Sequence, residues 1–158
     1  MIFLTIGSMF PFDRLIKAVD EMVDDGRISD EISAQIGDGK YEPKNFRFKR
    51  FMGKPEYERE LYAADYLVAH AGAGTIALAL EAGKPLLVVP RRSASGEHVN
   101  DHQFATARKF AELGHVLVAN ETAELPEKLR LLRTFQAARR ETDSKRMARR
   151  IGLILISI

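Results

Sequence analysis

The amino-acid sequence predicts an α/β domain built on a Rossmann-like, doubly wound parallel sheet, and three observations carry that prediction. Short apolar runs alternate with longer amphipathic segments along most of the chain, as expected where parallel strands are buried on both faces by covering helices. Glycine-rich turns, Gly7-Ser8 and His70-Ala71-Gly72-Ala73-Gly74-Thr75, stand directly after two of those runs, where a strand must turn into a helix. The 158 residues are 46% hydrophobic and 29% charged, a composition that suits one core and a single domain over 1–158.

Each element follows in order. Ile2 to Ile6 reads as a buried first strand, Gly7-Ser8 as its turn, and Pro11 to Val23 as a helix with apolar positions Leu15, Ile16, Ala18, Val19 and Met22. Asp24-Asp25-Gly26 stops that helix. Ile32 to Ile36 gives a second strand, and Phe46, Phe48 and Phe51 mark a third among charged residues. Pro55 to Ala64 is a helix, and Tyr66 to Ala69 the next strand. Thr75 to Ala82 is rich in good helix formers, with Gly83 as its stop. Pro85 to Val89 is a fully apolar strand ended by Pro90. Asn100 or Asp101 can cap a long helix through Leu113, closed by Gly114. Val116 to Ala119 is a last strand before helices over Leu125 to Phe135 and Arg139 to Arg150. There is no internal repeat and no low-complexity linker to divide the chain.

Composition narrows the chemistry. The absence of cysteine excludes disulfides and thiolate metal sites and is compatible with the cytosol. Met1 leads straight into an apolar strand with no basic leader, and no apolar run approaches the roughly 18 residues of a membrane span. Neither secretion nor spanning is indicated. The formal charge of +2 hides a basic tail: from about residue 120 to 158 the chain reads as helical, rich in arginine, and apolar over Ile151 to Ile158. Such a tail suits an anionic membrane surface or an acidic partner, or equally a solvated helix face.

In a doubly wound sheet ligands bind beyond the carboxyl ends of the strands. Gly7-Ser8, His70 to Thr75 and Arg91 to Gln103 all fall at such ends. A helix that begins at a glycine turn points unpaired N–H groups and the positive end of its dipole outward, which suits phosphate or pyrophosphate. The same turn can simply let a strand enter a helix. Asn100, Asp101, His102 and Gln103 form a dense set of hydroxyl-binding side chains, so phosphate and hydroxyls together suggest a nucleotide-sugar. Arg91 and Arg92 could neutralise a diphosphate or a sugar carboxylate, or lie on the loop surface. His98 and His115 read as structural. An HExxH sequence and an Asp-x-Asp pair are both lacking, so no metal is expected.

His70-Ala71-Gly72-Ala73-Gly74-Thr75, Gly83-Lys84-Pro85 and Gly96-Glu97-His98-Val99-Asn100-Asp101-His102-Gln103, with Thr5-Ile6-Gly7-Ser8 and Phe12-Asp13-Arg14-Leu15 before them, resemble the donor-binding C-terminal half of GT-B glycosyltransferases of the family 28 type. Within that group the chain looks most like the small subunits of two-chain bacterial exopolysaccharide glycosyltransferases, and is similar to the small subunit of the eukaryotic dolichol-linked GlcNAc transferase. The resemblance implies one half of a GT-B fold, with Gly7 and Ser8 closing over the pyrophosphate or touching the acceptor side. It implies pyrophosphate held at Gly72, Ala73, Gly74 and Thr75, ribose hydroxyls bound by Glu81, and sugar hydroxyls read by His102 and Gln103, with Asn100 joining them or capping the helix. Arg91 would face the diphosphate. His70 is the one base candidate near the turn, and a base on a partner chain is the leading expectation.

The implied activity is that of the donor-binding subunit of an inverting, metal-independent hexosyltransferase that uses a UDP-sugar and no cofactor. A separate membrane-associated subunit would bring a polyprenyl-linked saccharide acceptor, as in bacterial exopolysaccharide synthesis, with the complex cytoplasmic and peripheral at the inner membrane face. A homodimer could cover the partner face when the partner is absent. The main alternative is a non-catalytic enhancer of a partner glycosyltransferase. A one-chain nucleotide-sugar epimerase would be longer, and a dinucleotide binder would carry GxGxxG after the first strand.

Overall fold

A computed structural model describes residues 1–138; the helix expected over Arg139 to Arg150 and the apolar run Ile151 to Ile158 lie outside the described residues. The strands are β1 (Ile2–Thr5), β2 (Ile32–Gln35), β3 (Arg47–Lys49), β4 (Tyr66–His70), β5 (Leu86–Val89) and β6 (Leu117–Val118). Among them run α1 (Asp13–Asp24), α2 (Lys54–Ala63), α3 (Ala73–Glu81), α4 (His102–Glu112) and α5 (Leu125–Leu132). All pairings are parallel, in the order β3-β2-β1-β4-β5-β6. The order reverses between β1 and β4, which leaves a crevice beyond their carboxyl ends.

Alternation along each strand divides the core in two. Ile2, Leu4, Val68, Leu87 and Val89 pack with Leu15, Ile16 and Val19 of α1 and with Leu125 and Leu132 of α5. Phe3, Leu67, Ala69, Leu86 and Val88 face the other way, onto Leu61 of α2, Ile76 and Ala79 of α3, and Ala107 of α4. Successive strand side chains point to opposite faces, so continuous apolar runs serve both layers.

Several boundaries differ from the sequence expectation. β3 takes in Phe48 but ends before Phe51, which is exposed, and β6 pairs over only two residues. Both are edge strands, paired on one side only. α1 begins at Asp13 after the buried Phe12, and α5 stops at Leu132. α3 begins at Ala73, not Thr75, because Gly72 is extended (φ −79°, ψ 128°) and its carbonyl already accepts the Ile76 N–H at 3.0 Å. At α4 the residue before the first helical position is Asp101, with no side-chain cap bond, while Asn100 Oδ1 accepts the His102 N–H at 3.2 Å.

Lys84, within the Gly83-Lys84-Pro85 segment, has a structural task. Its Nζ donates to the carbonyls of Tyr62 and Ala64, both at 2.7 Å, placing a cation on the otherwise unpaired carbonyl end of α2. Lys84→Met is expected to lower unfolding free energy by about 1 kcal/mol, seen as a lower urea midpoint with an unchanged denaturant slope.

Candidate functional site

Three loops meet over the crevice: residues 6–12 after β1, residues 71–72 after β4, and residues 90–101 after β5. His70, the last residue of β4, stands among them, 9% exposed. Its imidazole fits between two glycines. A Cβ on Gly7 would come within 2.9 Å of His70 Cε1, and one on Gly72 within 2.3 Å of Nε2. Gly7 also has φ +72°, which side-chain-bearing residues rarely adopt. Burial pushes the His70 pKa down to about 4, and the nearby Arg91 charge pushes the same way. Nδ1 is buried without a partner of hydrogen-bond geometry, although the Thr5 backbone beside the ring offsets the fall in part. The ring is therefore neutral at pH 7 and acts as a spacer setting two loops apart. A general base with so low a pKa is poorly matched to neutral pH.

Beyond the ring rises α3. Gly72 ends the turn, Ala73 and Gly74 are exposed, Thr75 is half-buried, and no side chain caps the helix among the described residues. Tyr57, packed edge-to-face on Phe3 at 5.2 Å, sets its hydroxyl beside Thr5 and Thr75, and burial raises its pKa. The first turn of α3 thus presents N–H groups and the positive helix end toward the crevice.

The β5–α4 loop supplies the other wall. Gln103 is 3% exposed, and its Oε1 accepts the Arg91 N–H at 3.1 Å. Arg91 is 2% exposed, and its Nη2 donates to the carbonyls of Ile6 at 2.6 Å and Phe10 at 2.5 Å. Burial pushes the Arg91 pKa down to about 10, so it stays charged at neutral pH. Its side chain is a tie between loops rather than a free diphosphate clamp, which corrects one role drawn from the sequence. Arg92 is likewise engaged, by Glu121 and the Asn120 carbonyl. His102 is exposed and in contact with Asn100 Oδ1 through its Nδ1. Its ring meets His98 edge-on at 4.6 Å, and His98 lies against Phe10 at 4.8 Å. Ser8 is exposed on the opposing loop.

Glu81 lies two turns into α3, at its far end. With α3 beginning at Ala73, Glu81 is its last residue, exposed and about 12 Å along the axis from the first turn at 1.5 Å per residue. Structure therefore separates it from the N-terminal turn, while Gly7, His70, Gly72 and Arg91 come together and Gln103 joins them through the Arg91 backbone. His115 is remote, its Nδ1 2.9 Å from the Ala138 carbonyl oxygen. Among the described residues there is no group of three or more side chains able to hold a metal, and no helix is long and apolar enough to cross a membrane.

Arg14 and Glu97, in the Phe12–Leu15 and Gly96–Gln103 segments, pair across the crevice. Glu97, 7% exposed, accepts Arg14 Nε at 2.7 Å and Nη2 at 2.9 Å, together with the Arg92 N–H at 2.8 Å. Acid and base stand 83 residues apart in the chain, and no local pattern announces such a pair.

A parallel sheet of this order, with a glycine-turned helix at the switch point, is a Rossmann-like domain of the kind that forms one half of GT-B glycosyltransferases. It is similar to the glycotransferase of kitacinnamycin (TM-score 0.60, 23% identity, 87% of this chain and 34% of that one), to ALG13 in its NMR solution structure (0.58, 21%, 89% of each) and to Acinetobacter baumannii MurG (0.56, 21%, 84% and 39%). At these identities the likeness is one of fold. The chain belongs to the family of the glycosyltransferase family 28 C-terminal domain, whose model matches residues 1–152. It is 32% identical over 123 residues to the UDP-N-acetylglucosamine transferase subunit ALG13 of Mus musculus (72% of this chain) and 31% identical over 124 residues to that of Homo sapiens (73%). The chain spans about a tenth of the length of these curated relatives, 10% in each.

Proposed function

We propose that this domain binds the nucleotide-sugar donor of an inverting, metal-independent glycosyltransferase and works with a separate membrane-associated chain that carries the acceptor site. One observation carries the reading: the uncapped first turn of α3 opens at the switch point between β1 and β4, framed by the β1 and β5 loops. A diphosphate placed there meets N–H donors at the positive helix end, and the same donors stabilise the charge that develops on the leaving nucleotide. Sugar hydroxyls would reach His102, Asn100 and the amide nitrogen of Gln103. With His70 neutral and wedged between two loops, the base that deprotonates the acceptor hydroxyl comes from the partner chain. The relatives' names, which specify a UDP-N-acetylglucosamine transferase subunit, make UDP-GlcNAc the first donor to test. A polyprenyl-linked saccharide at the inner membrane face, in a bacterial exopolysaccharide pathway, is the proposed acceptor setting.

Isothermal titration with UDP, UDP-GlcNAc, UDP-glucose, UDP-galactose and UDP-glucuronic acid tests this directly. One UDP-sugar is expected to bind, with Gln103→Ala weakening it about tenfold through the misplaced loop and Glu81→Ala shifting Kd by less than about twofold, as for a surface residue off the site. Absence of binding to all five would count against a self-sufficient donor site and favour the enhancer role. A strong effect of Glu81→Ala would mean that the donor extends along the whole of α3.

A further inference from the structure

The geometry points to Glu97 and Arg14 as positioning residues for the donor: they touch no part of the proposed binding surface but lock the β1–α1 and β5–α4 loops in register, so that donor affinity depends on their ion pair. This rests on the donor-binding reading above.

Two arginines cross the crevice in opposite directions. Arg14, from α1, reaches over to the β5–α4 loop, where it grips Glu97 through two parallel hydrogen bonds and the Pro90 carbonyl at 3.2 Å. Arg91, from that same loop, reaches back to the Ile6 and Phe10 carbonyls of the β1–α1 loop. Both guanidinium carbons stand 5.2 Å from the centre of the fully buried Phe12 ring. Two cations so close to one ring repel each other in a poorly solvated place, and Glu97 is the carboxylate that balances them. Its Oε2 also holds the Arg92 N–H, fixing the backbone next to Arg91. The fork geometry of the pair sets angle as well as distance, so a lysine cannot replace Arg14 fully.

Glu97→Gln keeps the shape, retains an acceptor for the Arg92 N–H and removes the charge. It leaves two guanidinium groups without their counter-ion, and the economical relief is for Arg91 to release Ile6 and Phe10. The loop carrying Gly7 and Ser8 would then loosen, while the β4–α3 turn, held by the sheet, would not.

The test compares the whole chain with Glu97→Gln, Arg14→Lys and, as a control, Asp20→Asn. Asp20 is a buried carboxylate of α1 that holds Tyr41, Lys44 and Asn45 on the side of β2 and β3, away from these loops. Two readouts are taken: backbone amide hydrogen exchange, and Kd for UDP-GlcNAc and the other UDP-sugars. Faster exchange is expected at residues 6–10 and 91–98 in Glu97→Gln, with residues 71–75 unchanged, and donor affinity about ten to a hundred times weaker. Arg14→Lys should fall between wild type and Glu97→Gln in both. Asp20→Asn should lose stability with its donor Kd unchanged. Unchanged exchange at residues 6–10 in both Glu97→Gln and Arg14→Lys overturns the proposal, as does an equal loss of affinity in Asp20→Asn. If the wild-type chain binds no UDP-sugar while exchange responds as expected, the donor reading fails and the coupling of the two loops stands.

Discussion

Gly72→Ala is expected to abolish donor binding and to cost about 3 kcal/mol of folding stability, at the upper end of ordinary overpacking. The added Cβ would lie 2.3 Å from His70 Nε2 and 2.9 Å from Cδ2. A side chain commonly yields to such an intrusion by moving away. Here the ring is also close to Gly7, so near that a Cβ there would meet Cε1 at 2.9 Å. His70 is only 9% exposed and has little room to retreat, so the β4–α3 turn must shift instead. A shift of that turn re-aims the first N–H groups of α3, which the proposed diphosphate contact requires within a few tenths of an ångström. A double-mutant cycle isolates the cause. Adding Gly72→Ala to His70→Ala should cost little beyond His70→Ala alone, giving a coupling of about 2 to 3 kcal/mol in urea unfolding. If Gly72→Ala costs the same in both backgrounds, the contact with His70 is not its origin.

The second large effect is on acid stability. The folded-state pKa of His70, about 4, lies below the ordinary histidine value near 6.5. The unfolded chain therefore binds the extra proton first as pH falls. The stability contributed by the neutral buried ring is fully present above pH 6.5 and is lost between about pH 6.5 and 4. A shift of this size corresponds to about 3 kcal/mol over that interval. His70→Gln cannot titrate, so its unfolding free energy should fall less between pH 7.5 and 4 by about that amount. Parallel urea titrations at the two pH values measure the difference, and matching slopes for both proteins would contradict a neutral, buried His70. Carboxylates titrate in both proteins alike and cancel in the comparison.

The sheet was legible in the sequence because parallel strands buried on two faces need unbroken apolar runs, and Ile2 to Ile6, Tyr66 to Ala69 and Pro85 to Val89 provide them. Edges were less legible. Phe51 looked like strand, but β3 has one neighbour only and ends at Lys49. The start of α3 was misplaced because Gly74 is a poor helix former, although in the first turn its N–H has no intrahelical partner to lose. Glu81 lies two turns along α3 with either start, and its distance from the first turn follows from the helix rise alone. The three loops of the site could be found from the rule that ligands sit at carboxyl ends. Their fastening could not, because the partners of Arg91 and Arg14 lie 76 to 85 residues away in sequence and are brought together only by the crossovers of the sheet. Arginine in a polar loop looks the same whether it faces a ligand or ties down a backbone.

The strand order has a further consequence, in the timing of synthesis. β1 occupies the middle of the sheet, and its second edge is closed by β4, where Tyr66 follows its partner Ile2 by 64 residues. At translation rates of about 5 to 20 residues per second, β4 leaves the ribosome some seconds after β1. For that interval the most apolar strand of the nascent chain has one row of peptide groups without its final partner, and the delay grows wherever decoding slows between the codons for β2 and β4. Yield in a fast-growing host should therefore depend on chaperone supply during that window more than on the stability of the finished domain.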